Sequence, residues 1–305
     1  MSKLVIRSLA AIVNEALDFF SENLPPKLNL EIYSFPLVVG SGNAFNAGKI
    51  LFAKQAAIFA NESNFREIIK RYQPLIKNGT IHETIIISAS GEKDSVWEIE
   101  MAKAAGLKTT LLTCSLNSSA TQIADEVKVY RKLAEPYTYN FSTYCGMILS
   151  ASGEKVENIK DALEKLKIPA DFSDYKYYSF ILPDEFGDLA PMLDIKRHEL
   201  FGPKLSLRAF TFGEARHAKF VIRDPKELVI SFGANEFFGD PNSRWEINPK
   251  NVGNAGMMAL TYYLIGQIQN HQPDYFRENI ERFCEDDGPK AYGSDQPFPV
   301  IVPGN

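Results

Sequence analysis

The amino-acid sequence predicts an α/β protein built on two doubly wound parallel sheets. Three observations carry that expectation. Short apolar runs alternate with segments of helical period through the first half of the chain. The run Thr84-Ile85-Ile86-Ile87-Ser88 is β-branched and lacks alternation, as a strand covered on both faces does. The same strand–turn–helix succession starts again near Asp171.

Residues 1–24 have an apolar rhythm interrupted by Arg7, Asn14, Glu15 and Asp18, which suits an amphipathic helix and not a secretory leader. Pro25 and Pro26 break it. Leu37-Val38-Val39 then runs into Gly40-Ser41-Gly42 and a helical segment over 46–56, the opening unit of a parallel sheet. A short strand is expected over 57–60, a helix over 65–76, the buried strand over 84–88, and a helix over 96–105 closed by Gly106. A strand over 108–114, a short helix over 119–125 and a strand over 127–130 follow. The near-alternating Tyr137, Tyr139, Phe141 and Tyr144 suit a strand or extended loop, lining a pocket or, more ordinarily, packing in the core. Residues 150–167 are charged and helical and lead to Pro169. They place the boundary between a first unit, 1–165, and a second, 166–305. In the second unit strands are expected over 177–182, 206–211 and 228–232, with helices over 189–200 and 251–270. The tail over 285–305 has Gly, Pro and charge without period. It can wrap a neighbouring subunit or lie on the surface, and the pattern leaves both open.

Composition narrows the function. A net charge of -5 argues against a nucleic-acid partner held by a broad basic surface. No stretch approaches the roughly 18 uninterrupted apolar residues that span a bilayer. Cys114, Cys145 and Cys284 are widely spaced, which supports neither a disulfide framework nor a zinc site and fits a reducing compartment. The expectation is a cytoplasmic protein with no membrane partner, no metal and no cofactor.

The chemical signal of the first unit is Ser88-Ala89-Ser90-Gly91-Glu92-Lys93-Asp94-Ser95. It lies where a buried strand ends and a helix begins, so free amides and the positive helix end attract an anion. Gly91 admits close approach, Ser88, Ser90 and Ser95 offer hydroxyls, and Lys93 offers a full charge. The ordinary alternative is that Ser90 or Asp94 caps the helix. Gly40-Ser41-Gly42 is no dinucleotide fingerprint, since Phe45 stands where the third glycine belongs, and it lacks a Walker ending.

Together these pieces resemble the SIS (sugar isomerase) family of phosphosugar isomerases and sugar-phosphate-binding proteins. Four stretches carry the likeness in order: Val39-Gly40-Ser41-Gly42-Asn43-Ala44-Phe45-Asn46-Ala47; Ile87-Ser88-Ala89-Ser90-Gly91-Glu92; Ala102-Lys103-Ala104-Ala105-Gly106 with Leu112-Thr113 and Ser118-Ser119; and Gly213-Glu214-Ala215-Arg216-His217. The resemblance covers residues 35–235 and implies two SIS modules, flavodoxin-like αβα sandwiches, in a homodimer that binds a sugar phosphate. It implies that Ser88 and Ser90, with Gly91 and Lys93, hold the phosphosugar beside Ser41 and Asn43 of the first loop. Glu135, in Leu133-Ala134-Glu135-Pro136, matches the acidic residue of the loop that closes the site. Glu199 matches the glutamate that moves a proton between C1 and C2, and His217 the histidine that assists ring opening, with His198 a fallback for either role. His82 and His271 read as surface residues.

The sequence departs from that pattern at Asn43 and Ala44, at Lys93 where threonine is usual, at Ala218, and in a Glu199-to-His217 interval two residues too long. Two functions stay open. One is an isomerase, or isomerase/deaminase, of a hexose or aminohexose 6-phosphate. A carboxylate can be its base once burial raises its pKa, and a histidine suits ring opening. The other is a phosphosugar-binding SIS protein that senses its ligand unchanged, which the departures favour. A dinucleotide oxidoreductase is excluded by the missing glycine pattern.

Overall fold

A computed structural model describes residues 5–305; the first four residues of the expected N-terminal helix lie outside them. The first unit runs α1 (Leu9–Glu22), β1 (Leu37–Gly40), α2 (Asn43–Leu51), β2 (Ile58–Ala60), α3 (Phe65–Lys77), β3 (Glu83–Ile87), α4 (Asp94–Ala104), β4 (Lys108–Thr113), α5 (Ser119–Ile123) and β5 (Glu126–Val129). Then come β6 (Glu135–Pro136), α6 (Phe141–Ser152) and α7 (Val156–Glu164). The second unit has β7 (Tyr177–Leu182), a 3-10 turn (Asp184–Leu189), α8 (Ala190–Phe201), β8 (Ser206–Thr211), α9 (Phe212–Ala215), β9 (Glu227–Ser231) and β10 (Arg244–Glu246). The chain closes with α10 (Asn254–His271), α11 (Tyr275–Arg282), α12 (Gly288–Ala291) and β11 (Ile301–Val302).

Both main sheets are parallel. The first has the order β2-β1-β3-β4-β5 and the second β10-β9-β7-β8. Read from its other edge, the second is β8-β7-β9-β10, which repeats the first four positions of the first sheet. In each sheet the chain reverses direction beside its opening strand, the place where open parallel sheets collect ligands.

The strand residues explain the continuous apolar runs. Val38, Ile85, Ile87 and Leu112 face a central helical layer, while Leu37, Val39, Ile86 and Leu111 face α3, α4 and α5. Tyr178, Phe180, Leu182 and Ile230 of the second sheet face the same central layer from the other side. That layer holds α1, α6 and α10, and α1 packs on α6, α7 and α10. The outer face of the second sheet bears a smaller cluster of Ile181, Ala215, Phe220 and Val229.

Two segments differ from the sequence expectation. The aromatics over 137–144 do not form a strand, because α6 begins at Phe141. Glu135 sets that start: its carboxylate accepts the amides of Phe141 at 2.9 Å and Ser142 at 3.4 Å, and the Ser142 hydroxyl at 2.9 Å. The charged region over 150–167 is two pieces, α6 ending at Gly153 (φ 67) and α7. Between them Glu154 accepts the amides of Gly253, Ala255 and Gly256 at 2.6–2.9 Å, capping α10 from a distant part of the chain. The tail lies on its own first unit. There β11 pairs antiparallel with β6, the Tyr137 amide donates to Val300 at 2.7 Å, and the Asn305 side chain accepts from the Lys132 amide at 2.7 Å. Among the described residues no helix is long and apolar enough to cross a membrane, and all three cysteines are buried and unpaired.

Candidate functional site

The two loops at the carboxyl ends of β1 and β3 lie side by side. Gly40 is held there by contact: a Cβ on it would sit 2.9 Å from the Ala44 Cβ. Gly42, at φ 56, turns the chain into α2. The Ser41 hydroxyl donates to Asp94 Oδ2 at 3.1 Å, and the Trp97 indole N–H donates to Asp94 Oδ1 at 3.1 Å. Asn43 is buried and its Oδ1 accepts no hydrogen bond.

In the serine loop, Ser88 Oγ accepts the Gly91 amide at 3.1 Å and Ser90 Oγ the Glu92 amide at 3.3 Å. Gly91 has φ 66, and a Cβ on it would lie 2.1 Å from Ser118 Oγ, so the loop is pressed against the β4–α5 connection. Glu92 turns to that connection as well, accepting the Ser119 amide at 2.9 Å. Lys93 is the N-cap of α4, with φ 58, and makes no side-chain cap bond. The first amides of α4 are thus left for solvent or a ligand.

Lys93 is exposed as a residue, but its ammonium lies among aromatic rings. It lies 3.9 Å from the Tyr292 ring centre, 4.4 Å from that of Phe298 and 5.7 Å from that of Tyr137, and donates to the Tyr137 hydroxyl at 3.2 Å. Burial lowers its pKa, against the smaller opposing charge of Asp94. Phe298 in turn stacks on Tyr137 at 5.2 Å. The tail therefore closes over the serine-loop lysine.

The second cluster is on α8. Lys196 is wholly buried, and its ammonium donates to the carboxylate of Glu199 and to the carbonyl of Thr138. The pair is three residues apart, one helical turn. Glu199 keeps 24% of its side chain exposed, yet desolvation raises its pKa while Lys196 and His198 pull it down. Thr138 holds φ 74, a conformation that a β-branched residue rarely adopts, and so aims its carbonyl at Lys196. Tyr137 and Thr138 are consecutive: one takes the Lys93 ammonium and the next takes that of Lys196. These adjacent residues tie the serine loop of the first sheet to the carboxylate on α8.

The structure thus brings Ser41, Ser88, Ser90, Gly91, Lys93 and Glu199 toward one region, with Asn43 at the start of the neighbouring α2. Glu135 is buried under that region and spent on the start of α6; burial raises its pKa. His217 is elsewhere. It is exposed, just beyond α9, in a cleft of about 780 Å³ with Lys49, Asp184, Asp188, Asp194 and Glu214. That cleft lies at the carboxyl ends of β7 and β8, and the Lys49–Asp188 ion pair joins the two units across it. Among the described residues, no hydrogen bond or ion pair of Glu199 involves His217 or any other residue of that cleft. His198 is exposed and pairs with Asp194 at 3.5 Å. Sequence reasoning missed Lys196 and Thr138, and named Tyr137 only as one of four aromatics lining a pocket or packing in the core. Lys-x-x-Glu at one-turn spacing was the available signal for the first; the others are set by long-range contacts.

No protein-family model matches the sequence, and no curated protein does. Solved structures do share the architecture. Glucosamine-6-phosphate deaminase from Thermotoga maritima aligns with a TM-score of 0.56 over 86% of this chain and 92% of its own, at 14% identity. The C-terminal domain of glucosamine-fructose-6-phosphate aminotransferase from Francisella tularensis aligns at 0.58 over 95% and 96%, also at 14% identity. Tagatose-6-phosphate ketose/aldose isomerase from Escherichia coli aligns at 0.54 over 87% and 88%, again at 14% identity. At such identities the likeness defines the fold. The chain shares the α/β fold of these proteins, with two parallel-sheet units in one polypeptide.

Proposed function

We propose that this protein is an isomerase, or isomerase/deaminase, of a hexose or aminohexose 6-phosphate in the cytoplasm. The observation that supports it most is the bridge of Tyr137 and Thr138, which sets the buried Lys196–Glu199 pair against the lysine of the serine loop. The phosphate would sit on the serine loop and the first amides of α4, with Lys93 turning from its aromatic surroundings to meet it. Glu199 then takes the proton from the carbon beside the carbonyl and returns it to the neighbour, a task that suits a carboxylate whose pKa is raised by burial. Lys196 balances the Glu199 charge from the buried side. His217, which lines a cleft that Glu199 does not, would open the sugar ring from a second copy of the chain.

A second reading is a binding protein that leaves the sugar unchanged. The serine hydroxyls already accept amides of their own loop, and Lys93 is already held by the tail, which favour it. NMR of the protein in D₂O with a panel of hexose and aminohexose 6-phosphates separates the two. The expected outcome is deuterium at C1 or C2, or a new ketose signal, with Glu199→Gln reducing turnover by about 10²–10⁴-fold. Full turnover in that variant would remove Glu199 from the mechanism. Binding without exchange for every sugar would favour the second reading.

A further inference from the structure

Tyr262 lies in the middle of α10 with no exposed surface, and its hydroxyl has no hydrogen-bond partner among the described residues. A buried, unpaired hydroxyl destabilises the fold, and phenylalanine at the same place would avoid that cost. The ring is packed, with its centre 5.8 Å from that of Phe141 and 5.8 Å from the Lys196 ammonium. Lys196 in turn holds Oε2 of Glu199, while Oε1 of Glu199 accepts from no described residue. The lysine that the Tyr262 ring faces thus holds a carboxylate with one oxygen unused.

We propose that Tyr262 is a positioning residue for the Lys196–Glu199 pair, its ring steadying the ammonium and its hydroxyl donating to the Glu199 carboxylate when that carboxylate turns from Lys196. The phenol supplies a neutral donor beside the wholly buried Lys196, so the carboxylate can move toward a ligand and stay ionised. The charged and titratable groups around the phenol are Glu199 and Lys196 on α8, Glu135 on β6, and Tyr144 and Cys145 on α6. Of these, Glu199 is the largest charge influence on Tyr262. This inference rests on the proton-transfer reading for turnover, but its wiring can be tested without it.

Tyr262→Phe keeps the ring and removes the donor. Two measurements are needed: the pH dependence of C1–C2 exchange, and a ¹³C-NMR titration of the Glu199 carboxyl carbon, assigned with Glu199→Gln. The melting temperature is recorded alongside. The expected result is an unchanged or higher Tm, kcat about tenfold lower with KM within about twofold, and the acid limb and the Glu199 midpoint both moved up by about one pH unit. The sign follows from losing a donor to the charged form. An unchanged midpoint in the stable variant would overturn the proposal. So would a clear fall in Tm with unchanged activity per folded molecule, because the hydroxyl would then serve the fold. If the wild-type protein exchanges no sugar, the functional reading fails while the Glu199 titration still decides the wiring.

Discussion

Glu98 sits one turn into α4, 1% exposed, with its Oε1 unpaired. Burial, then the nearby charges of Asp94 and Glu62, push its pKa from 4.5 up to about 8. The folded state therefore holds a proton there that the unfolded chain releases. Where the native state binds more protons, stability falls as pH rises, so this group erodes stability between about pH 4.5 and 8 and not beyond. Glu98→Gln removes the titration. The variant should gain of order a few kcal/mol on wild type at pH 8 and about nothing at pH 4, read by urea unfolding at both values. Equal pH dependence of the two proteins would show that Glu98 is solvated. Nothing in the sequence sets Glu98 apart from its exposed neighbour Glu100, because burial of a charge is decided by what packs on the helix. Lys196 was hidden for the same reason: a lysine in the run Asp194-Ile195-Lys196-Arg197-His198-Glu199 looks solvated until Thr138 and Tyr262 are seen around it.

Elements that bury one face or both were legible, and elements fixed by distant partners were not. The strands over 84–87 and 108–113 were evident from β-branched runs, and α3 from its apolar stripe. Helix α6 was not, since residues on nearly all its sides are buried and no period is left to read. The pairing of β6 with β11 joins two-residue strands far apart in sequence, which no local pattern announces. That pairing matters for the site, because it carries Phe298 onto Tyr137 and against Lys93. Phe298→Ala removes both contacts on a half-buried ring. The expected cost is about 1–2 kcal/mol, or roughly 2–6 °C in Tm for a chain of this size. A Tm within about 1 °C of wild type would mean that the tail is held by its backbone pairing and Asn305 alone.

At the scale of the molecule, the division proposed at residues 165/166 separates two units in sequence whose side chains share one core. Val38 and Ile85 of the first sheet belong to the same cluster as Phe180 and Ile230 of the second, joined through α1, α6 and α10. The matching strand order of the two sheets was visible only as repeated strand–turn–helix openings, because topology survives changes of side chain that erase similarity of letters. The shared layer has a thermodynamic consequence. Helix α1, at the start of the chain, crosses α10 at Gly266, where a Cβ would lie 2.0 Å from the Ala10 amide nitrogen. The Leu9 amide also donates to Gln269 of α10 at 2.9 Å, and Gln269 donates to Tyr139 at 3.0 Å. Neither unit can keep its inner face dry alone, so calorimetry should record one transition with van't Hoff and calorimetric enthalpies equal. Gly266→Ala should move that single transition down, by about 1–3 kcal/mol of overpacking against a backbone that cannot yield. Two transitions, with only the later or the earlier one shifted by the substitution, would mean that the units fold independently and that the helical layer is an interface between them.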